Sequence, residues 1–141
     1  MNSDLADFRK FIRRRSEAAA AYVNGDVAPL RQISTKKSPA TFFGPGGGTV
    51  VGAQKVFADY ARGAAAFGPG GSNQVKILQV GAADGLAFWT GLQRAKVHVR
   101  GKDQIVPMEL RITEVFRREK DEWKLIHRHA DMLAAKQPQK K

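Results

Sequence analysis

The chain contains no cysteine, which excludes disulfides, thiolate nucleophiles and cysteine-ligated zinc or iron–sulfur centres. It has no apolar run near the roughly 18 residues that a membrane-spanning helix needs. The first residues, MNSDLADFRKFIRRR, put acids before bases and lack the apolar core of a secretory leader. The expectation is a cytoplasmic protein with no membrane association. Acids are scarce as well, 13 against 24 Lys and Arg, for a net charge of +11. A basic chain suggests nucleic acid, because Lys and Arg displace counterions from phosphates. Here the bases are spread over Arg13–Arg15, Lys36–Lys37, Arg117–Arg118 and the terminal Lys136, Lys140 and Lys141. No helix-turn-helix, zinc-finger or RNA-recognition motif accompanies them. The expectation is solvated surface charge with weak polyanion affinity and no specific nucleic-acid site.

What the chain does have is enough apolar material, 43% of 141 residues, to bury the core of one domain. Residues 1–133 read as that domain, and 134–141 as a basic disordered tail. Residues 4–23 carry Leu5, Phe8, Ile12, Ala19, Tyr22 and Val23 at helical spacing, with Arg13–Arg15 turned largely to solvent. Asn24-Gly25 ends this helix. Asp26 caps a short second one bearing Val27, Leu30 and Ile33, and Pro29 falls in its first turn. A short strand over 40–43 runs into the loop Gly44-Pro45-Gly46-Gly47-Gly48. A third helix is expected over 53–67, with Val56, Phe57, Tyr60, Ala64 and Phe67 in one stripe. The loop Gly68-Pro69-Gly70-Gly71 should close the helical part. From residue 73 the period becomes alternating, with strands near 74–81, 86–100, 104–117 and 122–131. The polar turns at 83–85, 101–103 and 119–121 mark an antiparallel meander. Helices followed by strands imply an α+β domain, and strands this long imply a twisted, bulged sheet.

The Gly-rich loop at 44–48 lacks the Lys-Ser/Thr of a P-loop and fails G-x-G-x-x-G spacing, so it reads as a mobile hairpin or lid. The last strand is the most informative segment. Strict alternation puts Trp123, Leu125, His127, His129 and Asp131 on one face. On the preceding strand Arg111 and Thr113 share a face, opposite Leu110, Ile112 and Glu114. Two imidazoles beside a carboxylate and a guanidinium can form a structural polar network, a ligand pocket with acid/base capacity, or three ligands of a metal. A fourth metal ligand is not evident, so neither a metal nor a cofactor is expected. Glu114 would be costly to bury unpaired, and Arg128 has the parity to pair with it, either structurally or at a pocket floor. Tyr22 can present its hydroxyl to a cavity or pack at its edge.

The order helix, helix, Thr41-Phe42-Phe43-Gly44-Pro45, helix, then long strands ending Arg111-x-Thr113, Trp123 and His127-x-His129 resembles the nuclear transport factor 2-like superfamily over residues 4–133. The SnoaL-like and ketosteroid isomerase-like branches are nearest, and the last strand is also similar to the association domain of calcium/calmodulin-dependent kinase. The resemblance implies a cone-shaped cystatin-like α+β fold, three N-terminal helices packed on a curved antiparallel sheet. It further implies a pocket between helices and sheet, and a homodimer formed through the sheet. In ketosteroid isomerase an Asp general base precedes a proline in the loop after the short helices. Gly44-Pro45 stands there, so that base is missing, while Tyr22 matches the oxyanion-hole Tyr. The expected activity is binding of a small, partly apolar organic molecule, with acid/base chemistry of isomerase, cyclase or hydrolase type if the protein is an enzyme. In that case His127, His129 and Asp131 move and orient the proton and Arg111 holds an anionic group. If that face lies outside, Glu114 and Arg128 inherit the pocket. The alternative is a non-catalytic dimeric association module.

Overall fold

A computed structural model describes residues 3–134. Its elements are α1 (Ser3–Tyr22), α2 (Ala28–Ile33), β1 (Thr41–Phe43), β2 (Thr49–Val51), α3 (Ala53–Ala65), β3 (Phe67–Ala83), β4 (Leu86–Val99), β5 (Ile105–Glu119) and β6 (Glu122–Met132). The six strands form one sheet in the order β2-β1-β6-β5-β4-β3. Strands β3 to β6 make the expected antiparallel meander. β1 joins the far side parallel to β6, pairing Thr41 with His127 and Phe43 with His129. The Gly-rich loop is the turn of a β1–β2 hairpin; β2 is a strand that the periodicity does not indicate. Three helices are present, but the third follows this hairpin, so they do not form one N-terminal block. The expected tail falls almost wholly on residues 135–141, outside the described range.

The helices cover one face of the sheet because α1 carries an apolar stripe of Phe8, Phe11, Ile12, Ala18 and Ala19. Phe8 is fully buried, its ring 5.1 Å from Phe116 and 5.4 Å from Trp123. Such a side chain contributes roughly 1.5–3 kcal/mol by leaving water. The start of α1 is tied down by Asp4, which accepts from the Gly85 amide at 2.9 Å and from Arg118 at 2.6 Å. Its end is fixed at Asn24, whose side chain exchanges two hydrogen bonds with the Gly71 backbone. Asp26 accepts from the Ala28 amide to start α2.

Two boundaries differ from expectation. α3 stops at Ala65, and Phe67 opens β3, so the segment 68–71 belongs to that strand and is not a free loop. A register break between Gly68 and Ser72 lets Gly71 close against the end of α1. A Cβ on Gly71 would lie 2.7 Å from the Val23 carbonyl oxygen and 2.9 Å from that of Lys96. Glycine is therefore a packing requirement at this point, not a turn signal.

The larger difference is in β6. Val115 of β5 pairs with His127, but the next residue, Phe116, pairs with Leu125. Ile126 is left over as a β-bulge, and one extra residue reverses the alternation. Trp123 and Leu125 are buried under the helices with Ala130, whereas His127, His129 and Asp131 lie on the opposite face. The five residues expected on one face are thus split between two. Among the described residues no helix is long and apolar enough to cross a membrane.

Candidate functional site

The helix-facing side of β4, β5 and β6 buries a charged cluster among apolar side chains. Glu114 is fully buried, and its carboxylate accepts four hydrogen bonds from three residues on three elements. Arg15 of α1 grips it with two parallel bonds, Nε to Oε1 at 2.9 Å and Nη2 to Oε2 at 2.8 Å. Arg128, its cross-strand partner, donates Nη1 to Oε2 at 2.6 Å. The Trp89 indole N–H donates to Oε1 at 2.9 Å. Arg128 also donates Nη2 to Gln93 at 2.9 Å, and Gln93 donates on to Asn73 at 2.7 Å. Burial alone would raise the Glu114 carboxyl, but the charges and hydrogen bonds of Arg15 and Arg128 outweigh it and hold it at about 2. The carboxylate is therefore locked in its ionised form.

Above this cluster lies a cavity of about 100 Å³, lined by Arg15, Ala19 and Tyr22 of α1, Leu30, Phe42, Pro45, Tyr60 of α3, Phe67, Gln93, Met108, Leu110, Arg128 and Ala130. Pro45 brings the Gly-rich hairpin to its wall. The Tyr60 ring packs edge-on to Phe42 at 5.0 Å and Tyr22 to Phe67 at 5.9 Å. Burial pushes both phenols above their ordinary value. Gly63 makes room for Tyr22, since a Cβ there would meet the Tyr22 hydroxyl.

Of the residues singled out in the sequence, Tyr22, Glu114 and Arg128 come together at this cavity. His127, His129, Asp131 and Arg111 do not. On the outer face, Arg111 holds Asp131 through two bonds of 2.7 Å, both side chains well exposed. The Arg111 hydrogen bond lowers the Asp131 carboxyl. His127 Nδ1 lies 2.7 Å from the Thr41 hydroxyl, and the Phe43 ring sits edge-on to His127 at 4.9 Å and to His129 at 5.5 Å. Burial, then the neighbouring His129, lowers the His127 imidazole below its usual value. His98 is remote, against the Pro69 and Lys102 carbonyls. Among the described residues no group of three or more His, Cys, Asp or Glu is arranged to hold a metal ion.

Arg15 is the residue that sequence reasoning misses. It sits in a run with Arg13 and Arg14 that reads as solvent-facing, yet it is only 7% exposed. The signal is nonetheless present: Phe8, Ile12, Arg15, Ala19 and Tyr22 follow one helical stripe.

A sheet with helices on one face and a partly polar cavity between them defines a small α+β fold, and its relatives share it. Residues 15–135 match the profile of the SnoaL-like domain, and the chain belongs to that family. A Streptomyces avermitilis protein of the nuclear transport factor 2-like family, proposed to be a dehydratase, is 22% identical (TM-score 0.73, covering 92% of this chain and 98% of its own). A Caulobacter vibrioides protein with a cystatin-like fold is 14% identical (TM-score 0.67, 90% and 87%). A Parabacteroides distasonis protein proposed to be a ketosteroid isomerase is 20% identical (TM-score 0.62, 87% and 85%). At these identities the likeness shows the nuclear transport factor 2-like, cystatin-like fold. No curated protein sequence matches significantly.

Proposed function

We propose that this SnoaL-like protein binds a small, partly apolar organic ligand in the cavity between α1, α3 and the sheet. The observation that carries this reading is the lining itself: apolar walls with two guanidinium groups and two phenols converging on one partly open concavity. Few, convergent polar groups in an apolar concavity are the usual make-up of ligand sites. At about 100 Å³, against the roughly 150 Å³ of an engineered cavity that accepts benzene, the space takes a compact molecule whose remainder reaches out through its open side.

The same lining favours binding over proton transfer. A general base works best with a pKa near the operating pH, and Glu114, held at about 2 beneath the cavity, is far from that. The imidazoles that would serve lie on the other face of the sheet. Acid/base chemistry in this cavity would rest on Tyr22 and Tyr60 as proton donors.

A second reading concerns the outer face, where Leu86 and Phe88 are exposed beside Val115. Exposed apolar side chains that cluster mark association surfaces, and this one supports a homodimer formed through the sheet, with His127, His129 and Asp131 in or near the contact.

The ligand reading is tested by following backbone amide NMR signals while phenol, indole, benzamide and benzoate are titrated in turn. Binding should move signals of Leu30, Tyr60, Leu110 and Ala130, and Ala130→Leu should abolish it by filling the space. If no compound moves those signals, the cavity is not a ligand site.

A further inference from the structure

The charges around the cavity do not cancel. Arg15 and Arg128 are the charged residues in its lining, and Glu114 is the acid bonded to both. Two cations and one anion leave one positive charge in a place with limited access to water. An uncompensated buried charge is expensive, and proteins supply a counter-charge or a ligand.

The hydrogen-bond inventory points the same way. A guanidinium carries five N–H donors in a fixed fork. Arg15 spends Nε and Nη2 on Glu114, but its Nη1 is buried and has no partner among the described residues. The residue that carries it is more than nine-tenths buried and forms part of the cavity wall. The hydroxyls of Tyr22 and Tyr60, also in the wall, make no hydrogen bond to described residues; Tyr22 feels the charges of Arg128, Asp59 and Arg15, and Tyr60 those of Arg128, Glu114 and Arg15. Donors outnumber acceptors here, and the surplus is cationic. The remaining wall, Ala19, Leu30, Phe42, Met108 and Leu110 among others, is apolar.

We infer that the ligand is a compact monocarboxylate, its carboxylate received by Arg15, Arg128 and the tyrosine hydroxyls and its short aliphatic or aromatic body by the apolar wall. One carboxylate cancels the surplus charge and supplies acceptors for the idle donors. A dianion would reverse the imbalance, and the small volume favours a short acid over a long-chain one. Glu114 then acts as a fixed counter-ion that orients both guanidinium groups, and it does not touch the ligand.

This inference rests on the cavity being a ligand site, and the experiment separates the two claims. Benzoate and isobutyrate are titrated by NMR against their neutral amides, benzamide and isobutyramide, which keep the shape and remove the charge. At least one acid should bind tenfold or more tightly than its amide, since hydrogen bonds to charged groups are worth about 1.5–3 kcal/mol and tenfold is about 1.4. Arg128→Gln, which leaves the Arg15–Glu114 pair neutral, should erase that preference while amide binding persists. Equal binding of acids and amides overturns the carboxylate assignment but leaves the cavity as a ligand site. Binding of neither overturns the carboxylate assignment, and if phenol and indole also fail to bind, the cavity is not a ligand site. The acid–amide comparison on the unaltered protein decides the matter even if Arg128→Gln fails to fold.

Discussion

Arg15 and Glu114 lie 99 positions apart in the chain and meet through two parallel hydrogen bonds of 2.9 and 2.8 Å inside the protein. The pair fixes the rotation of α1 about its own axis. A turn of the helix that moved Phe8 off Phe116 would also pull a guanidinium from the carboxylate it grips. Packing and electrostatics therefore specify the same helix orientation.

Removing the carboxylate charge should be severe. Glu114→Gln leaves Arg15 and Arg128 without a counter-charge, and breaking a buried pair in this way costs about 3–5 kcal/mol. Urea unfolding monitored by circular dichroism should show the midpoint drop with little change in slope. A change below about 1 kcal/mol would mean that the cluster is far better hydrated than its burial indicates.

Acid should unfold the protein through proton uptake. The Glu114 carboxyl sits at about 2 in the fold against an ordinary 4.5, and Asp4, Glu119 and Asp131 are lowered too. A depressed carboxyl stabilises the fold fully above its unfolded value, and that contribution is lost as pH falls toward the folded one. Stability should decline from about pH 4.5 downward, with more than one proton bound per unfolding event near pH 4. Unfolding free energies measured at intervals between pH 6 and pH 3 give that number from their slope.

The outer-face imidazole adds a milder effect at higher pH. His127 is lowered from 6.5, by burial first and then by His129. The unfolded chain therefore binds a proton before the folded one does, and stability falls as pH drops through 6.5. His127→Gln should flatten the stability profile between pH 7 and pH 5.5, while a profile unchanged by the substitution would dismiss His127 as its source.

Phe88 offers a direct test of self-association. It is 39% exposed on the outer face and its ring lies over Gly81. Sedimentation equilibrium should find a dimer for the unaltered chain and a monomer for Phe88→Asp, with the fold and the cavity unaffected. A monomer in both cases removes the sheet-mediated dimer.

Gly71→Ala should destabilise by about 1–3 kcal/mol, the usual range for overpacking. The atoms that an added methyl would meet, the Val23 and Lys96 carbonyl oxygens, are both backbone and cannot swing aside. Thermal melting resolves a shift of this size.

Long periodic stretches make much of this fold legible in the sequence. The alternation from residue 73 onward specifies the four-stranded meander, and the stripe of Phe8, Ile12 and Ala19 marks the buried side of α1. The Glu114–Arg128 pairing is expected too, but it is the bulge at Ile126 that brings Arg128 opposite Glu114; unbroken alternation from the 119–121 turn would place His127 there. Three features escape because they depend on contacts that local pattern does not encode. Gly68–Gly71 looks like a loop in isolation and becomes strand only because α1 ends against it. Arg15 looks like part of a surface run until Glu114 supplies its partner. The β6 bulge is invisible because Ile126 suits a strand as well as its neighbours do.

That bulge gives the strand an unusual kind of mutability. Because side chains alternate with a period of two, deleting Ile126 would shift the frame of everything beyond it in one step. His127, His129 and Asp131 would come to face the helices, and Arg128 would face outward. An interior lined by imidazoles and one lined by the Arg128 guanidinium are thus separated in this sequence by a single codon, with every side chain involved already present. In such a fold, insertions and deletions within the last strand can recast the interior more thoroughly than any substitution.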